Sequence, residues 1–332
     1  MVKFLVVRFS SIGDIILTTP VMRHLKQQVE NAEIHFLTKS SYASLLESNP
    51  YVDKIHVFDG DMQKCIRELK SLQIDYIIDL HNNARTAYLK YGLKRMDLTV
   101  DKLNWKKWIF VNLKLDRMPD RHMVDRNLDT ISTFISERDQ EGLDYFIPEG
   151  EEVDIASLPI AFQKGYMGLS IGAQHETKKL PLSSLIELCE KLNHPVIVLG
   201  GPTDRETGDA LVSALPEKAL FNSCGQYRLH QSASLVRQAK VLITHDTGLM
   251  HIGAAFNKKI ISVWGNTVAK FGMYPFRSHP SSLRFEVKGL KCRPCSKIGY
   301  QKCPKKHFKC MLEQDIEGLA QAAHLLYLSS ER

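Results

Sequence analysis

The chain of 332 residues is long enough for two domains, each with its own core, and its 44% hydrophobic and 24% charged residues are those of an ordinary globular protein. Its longest apolar runs are strand-length, which argues against a membrane-spanning helix, and its first residues read as a strand with no secretory leader, so a cytoplasmic location is expected. The net charge of +7 suits an anionic small molecule or an anionic membrane surface. The lack of an arginine-rich block, an RNP-type aromatic motif or a basic heptad region argues against nucleic acid.

Apolar runs alternate with amphipathic stretches along the chain. Strands are predicted at 3–9, 33–37, 54–58 and 74–80, with helices near 20–30, 40–47, 62–72 and 83–92. Thr18 or Thr19 before Pro20 reads as a helix cap with proline in the first turn. An irregular basic and aromatic stretch holding Trp105 and Trp108 leads to a further helix over 121–137. The acidic segment 147–165, punctuated by proline and glycine, reads as the link between domains. Beyond it, strands are predicted at 166–171, 195–199, 219–222, 240–244 and 259–263, and helices at 183–192, 204–214, 230–239 and 247–256. A last amphipathic helix spans about 312–328 and has a choice of either domain to pack on. Strand–helix alternation of this kind favours parallel sheets flanked by helices, here twice, with ligands at the carboxyl ends of the strands. The expected domains are therefore 1–155 and 156–311, followed by a C-terminal helix over 312–332.

Two acidic loops stand at such strand ends. In "RFSSIGDIILTTP" the first strand runs into Ser10, Ser11 and Gly13, which make a turn, and then Asp14, which either caps a helix or meets a ligand. In "THDTGLMHIGAAF" a strand ends at Asp246, Thr247 and Gly248, and a helix rich in small residues follows. Its free N–H groups with the Thr247 hydroxyl would form a diphosphate cradle, and His251 sits one turn in. The competing reading makes Asp246 a cap and His251 a core histidine. Two further loops are polar. "SIGAQHETKKLP" ends in Lys178 and Lys179, either phosphate partners or a solvated pair. "VLGGPTDRE" places Asp204 and Glu206 where they either meet a ribose or cap a helix.

Seven cysteines are present. Cys65, Cys189 and Cys224 read as buried small hydrophobes. Cys292, Cys295, Cys303 and Cys310, with His307 among them, are spaced C-x2-C-x7-C-x6-C. That spacing leaves a structural zinc site and a set of free thiols both open. Lys291, Arg293, Lys297, Lys302, Lys305, Lys306 and Lys309 make this segment strongly basic, as either a solvated loop or a surface laid against an anionic membrane.

The set "SSIGDIILTTP", "IIDLHNNARTA", "GAQHETKKLP", "LGGPTDRE" and "HDTGLMHIGAA", in this order, resembles glycosyltransferase family 9, which includes the ADP-heptose:lipopolysaccharide heptosyltransferases. The resemblance implies a GT-B-like α/β fold of two Rossmann-like domains facing a cleft. The nucleotide sugar would bind mainly to the second domain, and a last helix would return toward the first. It implies metal-independent, inverting transfer of a heptose or related sugar from ADP-heptose to a lipopolysaccharide core or another lipid-linked glycan. Contact with the inner face of the cytoplasmic membrane would go with such an acceptor. By motif, Asp14 matches the catalytic base, and Lys178, Asp204, Asp246, Thr247, Gly248 and His251 match the donor side. Ser10, Ser11, Gly13 and Arg85 fall on the acceptor side, Arg85 placed to meet an anionic group. Leu180 stands where the best-known members carry tryptophan, which leaves another nucleotide donor as the alternative; a second departure is that Asn82 and Asn83 replace small residues. An NAD-dependent oxidoreductase is the more distant alternative, since no G-x-G-x-x-G follows any strand.

Overall fold

In the computed structural model, which describes residues 1–330, the chain divides into two compact units. One comprises Met1–Asn104 and Arg121–Pro148; the other comprises Trp105–Asp120 and the chain from Glu149 onward. The division at 148/149 lies a few residues before the expected boundary, and the excursion of 105–120 into the second unit was not foreseen. Among the described residues no helix is long and apolar enough to cross a membrane.

The first unit is built on β1 (Val2–Val7), β2 (Ala32–Lys39), β3 (Lys54–Phe58), β4 (Tyr76–Asp79) and β5 (Met96–Thr99). All five are parallel, in the order β3-β2-β1-β4-β5. β1 is central, so both its faces are covered and Phe4–Val7 are buried without interruption, which explains the unbroken apolar run. The helices are α1 (Ile12–Ile16), α2 (Thr19–Gln28), α3 (Ser40–Ala43), α4 (Met62–Ser71), α5 (Ala84–Leu93), α6 (Asn104–Leu113, grouped with the second unit) and α7 (Met123–Asp129).

The second unit carries β6 (Met167–Ser170), β7 (Val196–Leu199), β8 (Leu220–Asn222), β9 (Val241–His245), β10 (Ile260–Trp264) and β11 (Leu283–Glu286). These too are all parallel, in the order β11-β10-β9-β6-β7-β8. Its helices are α8 (Leu182–Lys191), α9 (Arg205–Ala214), α10 (Leu229–Gln238), α11 (Gly248–Ala255), α12 (Lys309–Leu312) and α13 (Ile316–Leu328). Counted from its own first strand, each unit follows the order 3-2-1-4-5, the second adding a sixth strand. Each is thus a Rossmann-like sheet whose order reverses once, between β1 and β4 in the first unit and between β6 and β9 in the second.

Several elements differ from the sequence expectation. α1 was read as a turn. β5 and β11 were missed because both are exposed edge strands without an apolar run. The helix expected over 121–137 closes at Asp129, where the Thr130 hydroxyl donates to the Asn127 carbonyl at 2.5 Å and the chain goes on in tight i→i−3 turns. Thr18 and Thr19 do not cap α2; their hydroxyls donate back to the carbonyls of Ile15 and Ile16, tying α2 to α1. Of the two domains the sequence left open to it, the last helix packs on the second, against α8 and β9, with Leu319, Ala320, Ala323 and Tyr327 in that unit's core, rather than returning to the first as the resemblance implied.

Candidate active site

In the first unit the chemistry gathers where β1 and β4 end. β1 leads straight into Arg8, which is 6% exposed, and its guanidinium reaches three ways. Nε donates to the Ser10 carbonyl at 2.8 Å, Nη1 to the Leu80 carbonyl at 2.5 Å, and Nη2 pairs with Asp14 Oδ1 at 2.5 Å. Asp14 is the third residue of α1. Its Oδ2 accepts the Ser11 backbone N–H at 3.3 Å and the Ser11 hydroxyl at 2.9 Å, one arm of a capping box. The choice left open by the sequence therefore has a double answer: Asp14 caps α1, and its side chain, 27% exposed, still presents a carboxylate. Burial pushes its pKa up, but the Arg8 charge and the Ser11 hydrogen bonds outweigh burial and bring it down to about 2.

His81, just beyond β4, meets Phe9 edge to face with ring centroids 5.2 Å apart. Burial, then the charges of Arg8 and Lys102, push its pKa down to about 4, so the imidazole is neutral near pH 7; its Nδ1 has no hydrogen-bond partner among the described residues. The polar residues of "DLHNNARTA" shape the turn. Asp79 Oδ1 accepts the N–H groups of His81 and Asn82, Asn82 adopts φ 44° and donates to the Val100 carbonyl, and Asn83 caps α5 reciprocally with Thr86. Arg85 stands exposed on the first turn of α5, with no hydrogen bond or ion pair to the Arg8–Asp14 pair.

The second unit brings four strand-end loops together. Lys178 Nζ lies 2.6 Å from Asp246 Oδ2 and 3.3 Å from the Asp246 carbonyl oxygen, and the Thr267 hydroxyl donates to the same Oδ2 at 3.1 Å. Lys179 Nζ bridges Asp204 Oδ1 at 3.0 Å and Glu176 at 2.8 Å, while Asp204 Oδ2 accepts the Gly201 N–H at 3.0 Å. Asp204 is buried and both its oxygens are occupied, so its first role is to tie the loop after β7 to the loop after β6. A Cβ at Gly172 would sit 2.4 Å from Asp204 Oδ2, which leaves glycine as the residue that fits there.

Thr247 sits at the N-cap of α11 without capping it, its hydroxyl 3.4 Å from that of Thr244. The first N–H groups of α11 thus have no side-chain cap, with Lys178 held beside them by Asp246. His251 is buried one turn in. His245 is also buried; burial and then the Lys179 charge push its pKa down to about 3, and its Nε2 accepts the Leu180 N–H at 3.0 Å. Leu180 itself belongs to the second unit's apolar core.

The four cysteines of the basic segment lie near one another: Cys292 bears on Cys295 by charge and hydrogen bond, and Cys292 and Cys303 both bear on Cys310. Among the described residues no three of His, Cys, Asp and Glu converge on a point an ion would occupy. Cys310 turns into the apolar core and Cys292 Sγ lies 3.7 Å from His307 Nε2. Burial pushes the Cys310 thiol up to about 11, and burial followed by the neighbouring Cys292 raises Cys295.

Sequence reasoning missed Arg8, His81 and Thr267. Arg8 carried a readable signal, a charge in the apolar run that ends at Phe9, directly after the central strand. Thr267, three residues past β10, had only its strand-end position to mark it.

The sequence profile of glycosyltransferase family 9 (heptosyltransferase) matches residues 62–300. The lipopolysaccharide heptosyltransferase 2 of Salmonella typhimurium is 22% identical over 303 residues, covering 81% of this chain and 84% of the relative. A glycosyltransferase family 9 crystal structure from Veillonella parvula superposes with a TM-score of 0.79 at 20% identity, over 98% of this chain and 97% of that one. The Escherichia coli ADP-heptose lipopolysaccharide heptosyltransferase II superposes with a TM-score of 0.75, also at 20% identity, over 99% and 100%. At that identity the superpositions carry the fold, which is GT-B-like α/β.

Proposed function

This chain belongs to glycosyltransferase family 9, the heptosyltransferase family, and from that premise we propose that it moves a heptose from ADP-heptose to a lipopolysaccharide core or related lipid-linked acceptor. The acceptor hydroxyl oxygen attacks the anomeric carbon, the bond from that carbon to the diphosphate oxygen breaks, and the electron pair leaves with ADP. The hydroxyl proton passes to Asp14. That carboxylate is ionised at any working pH but, beside Arg8, holds a proton weakly. It suffices because the attacking oxygen becomes strongly acidic as its bond to the sugar carbon forms, so the proton leaves late in the step.

The leaving diphosphate is assigned to the second unit. There the uncapped N-terminus of α11, the Thr247 hydroxyl and Lys178 offer N–H, O–H and cationic donors to the charge that develops. Asp246 is assigned to the sugar hydroxyls and His251 to the cradle's floor. Asp204 meets the ribose by exchanging one of its present bonds. Ser10, Ser11, Gly13 and Arg85 are assigned to the acceptor, and contact with an inner-membrane surface goes with a lipid-linked one. The observation that carries the donor side is the Lys178–Asp246–Thr267 set beside that open helix start.

Calorimetry with ADP, UDP, GDP and NAD tests the reading. ADP is expected to bind selectively, and Lys178→Ala to weaken it by roughly ten- to a hundredfold, the worth of a charge-assisted contact. Selective UDP or GDP binding would replace the donor, and binding of NAD alone would overturn the reading.

A further inference from the structure

We propose that α6 and the two residues after it form a docking surface for the anionic face of a lipid bilayer. Helix α6 has no buried residue. Trp105 and Trp108 are 69% and 48% exposed and stack on each other, ring centroids 5.1 Å apart and planes nearly parallel at 3°. The opposite stripe of the helix holds it to its own unit. Phe110 meets Phe271 edge to face at 5.9 Å and Lys107 Nζ lies 5.8 Å from the same ring. Just past the helix, Lys114 Nζ donates to the carbonyls of Cys292 at 3.0 Å and Pro294 at 2.6 Å. The tryptophans therefore face away from the unit, and exposed Leu113 and Leu115 extend their apolar strip.

The charge around this strip is of one sign. Between Asp101 and Asp116 there is no acidic residue, and Lys106, Lys107 and Lys114 stand among the aromatics. The groove at the end of α6 is lined by Lys114, Leu290, Lys291, Cys292, Lys305 and His307, again without a carboxylate. A helix with stacked indoles on its outer face and lysines at its flanks suits the boundary between headgroups and acyl chains, and the groove suits an anionic headgroup. The inference rests on the reading that the acceptor is lipid-linked, and it names the surface that brings the enzyme to it.

The full chain is mixed with vesicles of phosphatidylcholine alone or with phosphatidylglycerol added, and cosedimentation and tryptophan emission are followed. The third tryptophan, Trp264, is buried, so an emission shift reports Trp105 and Trp108. Binding and a blue shift are expected with the anionic vesicles only. Trp105→Ala/Trp108→Ala and, separately, Lys106→Glu/Lys291→Glu are expected to weaken binding at least about tenfold while nucleotide binding holds. All four side chains are exposed, so folding is not at stake. A wild-type chain that ignores anionic vesicles, or variants that bind them unchanged, overturns the proposal. So does a tryptophan variant that turns a dimer into a monomer on gel filtration, which would make the face an interface between copies. Vesicle binding needs neither donor nor acceptor sugar. Vesicle binding without sugar transfer would therefore refute the proposed reaction and support this surface, and transfer to a delipidated acceptor without vesicle binding would do the reverse.

Discussion

Replacing Asp14 by asparagine separates its two roles. Asparagine keeps nearly the same shape and one oxygen for Arg8, but it removes the charge, and the amide NH2 in place of the second oxygen can accept neither Ser11 bond. A carboxyl brought from 3.8 down to about 2 contributes about 2.5 kcal/mol to folding at neutral pH. Leaving Arg8 buried without its counter-charge adds to the loss, so a deficit of roughly 2–4 kcal/mol is expected. The sign fixes the pH window. The folded pKa lies below the unfolded one, so the stabilisation is complete above the unfolded value and is lost as pH falls from 3.8 toward 2. By pH 3 roughly half of the charge contribution should remain. Urea unfolding of wild type and Asp14→Asn, followed at pH 7 and pH 3 in the transition that includes the first unit, reads both numbers. The gap between the two proteins should narrow at the lower pH. Equal stabilities at pH 7, or a gap indifferent to pH, would refute the Arg8–Asp14 account.

Two further perturbations test the first unit. Arg23 is fully buried, pairs with Asp144, holds Asp139 at 2.9 Å and donates to the Gly142 carbonyl at 2.9 Å; Arg23→Ala should cost about 3–5 kcal/mol in urea unfolding because two carboxylates lose their partner, and a loss under 1 kcal/mol would contradict this. His56 and His81 are both pushed down to about 4, His56 by burial and then by His35 and Lys54, so the unfolded chain binds more protons than the folded one between pH 6.5 and about 4. Stability should therefore fall as pH drops through that window, by roughly 1–3 kcal/mol per histidine, and His56→Gln should flatten the fall; a urea midpoint that rises from pH 7 to pH 5 would count against it.

The legible part of the fold was the buried part. β1, β2 and β9 were visible because central or well-covered strands need apolar runs, and the 3-2-1-4-5 order follows from how right-handed crossovers stack such strands. β5 and β11 were invisible because an edge strand with exposed side chains has no reason to carry that pattern. α6 escaped for a related reason: a helix with no buried residue shows no apolar stripe aimed at a core. At the site, the acids and lysines at strand ends could be picked out, but not their pairing. That Lys178 goes to Asp246 and Lys179 to Asp204 is decided by which loops the strand order places side by side.

The measurement that bears most directly on the account is sugar transfer itself. Purified protein is incubated with ADP-heptose and a lipopolysaccharide-core acceptor, and the product is identified by mass spectrometry and its anomeric configuration by NMR. The account predicts a heptosylated acceptor of inverted configuration from the wild-type chain, and none from Asp14→Asn although that variant still binds ADP. Retained configuration, or undiminished transfer by Asp14→Asn, would contradict it.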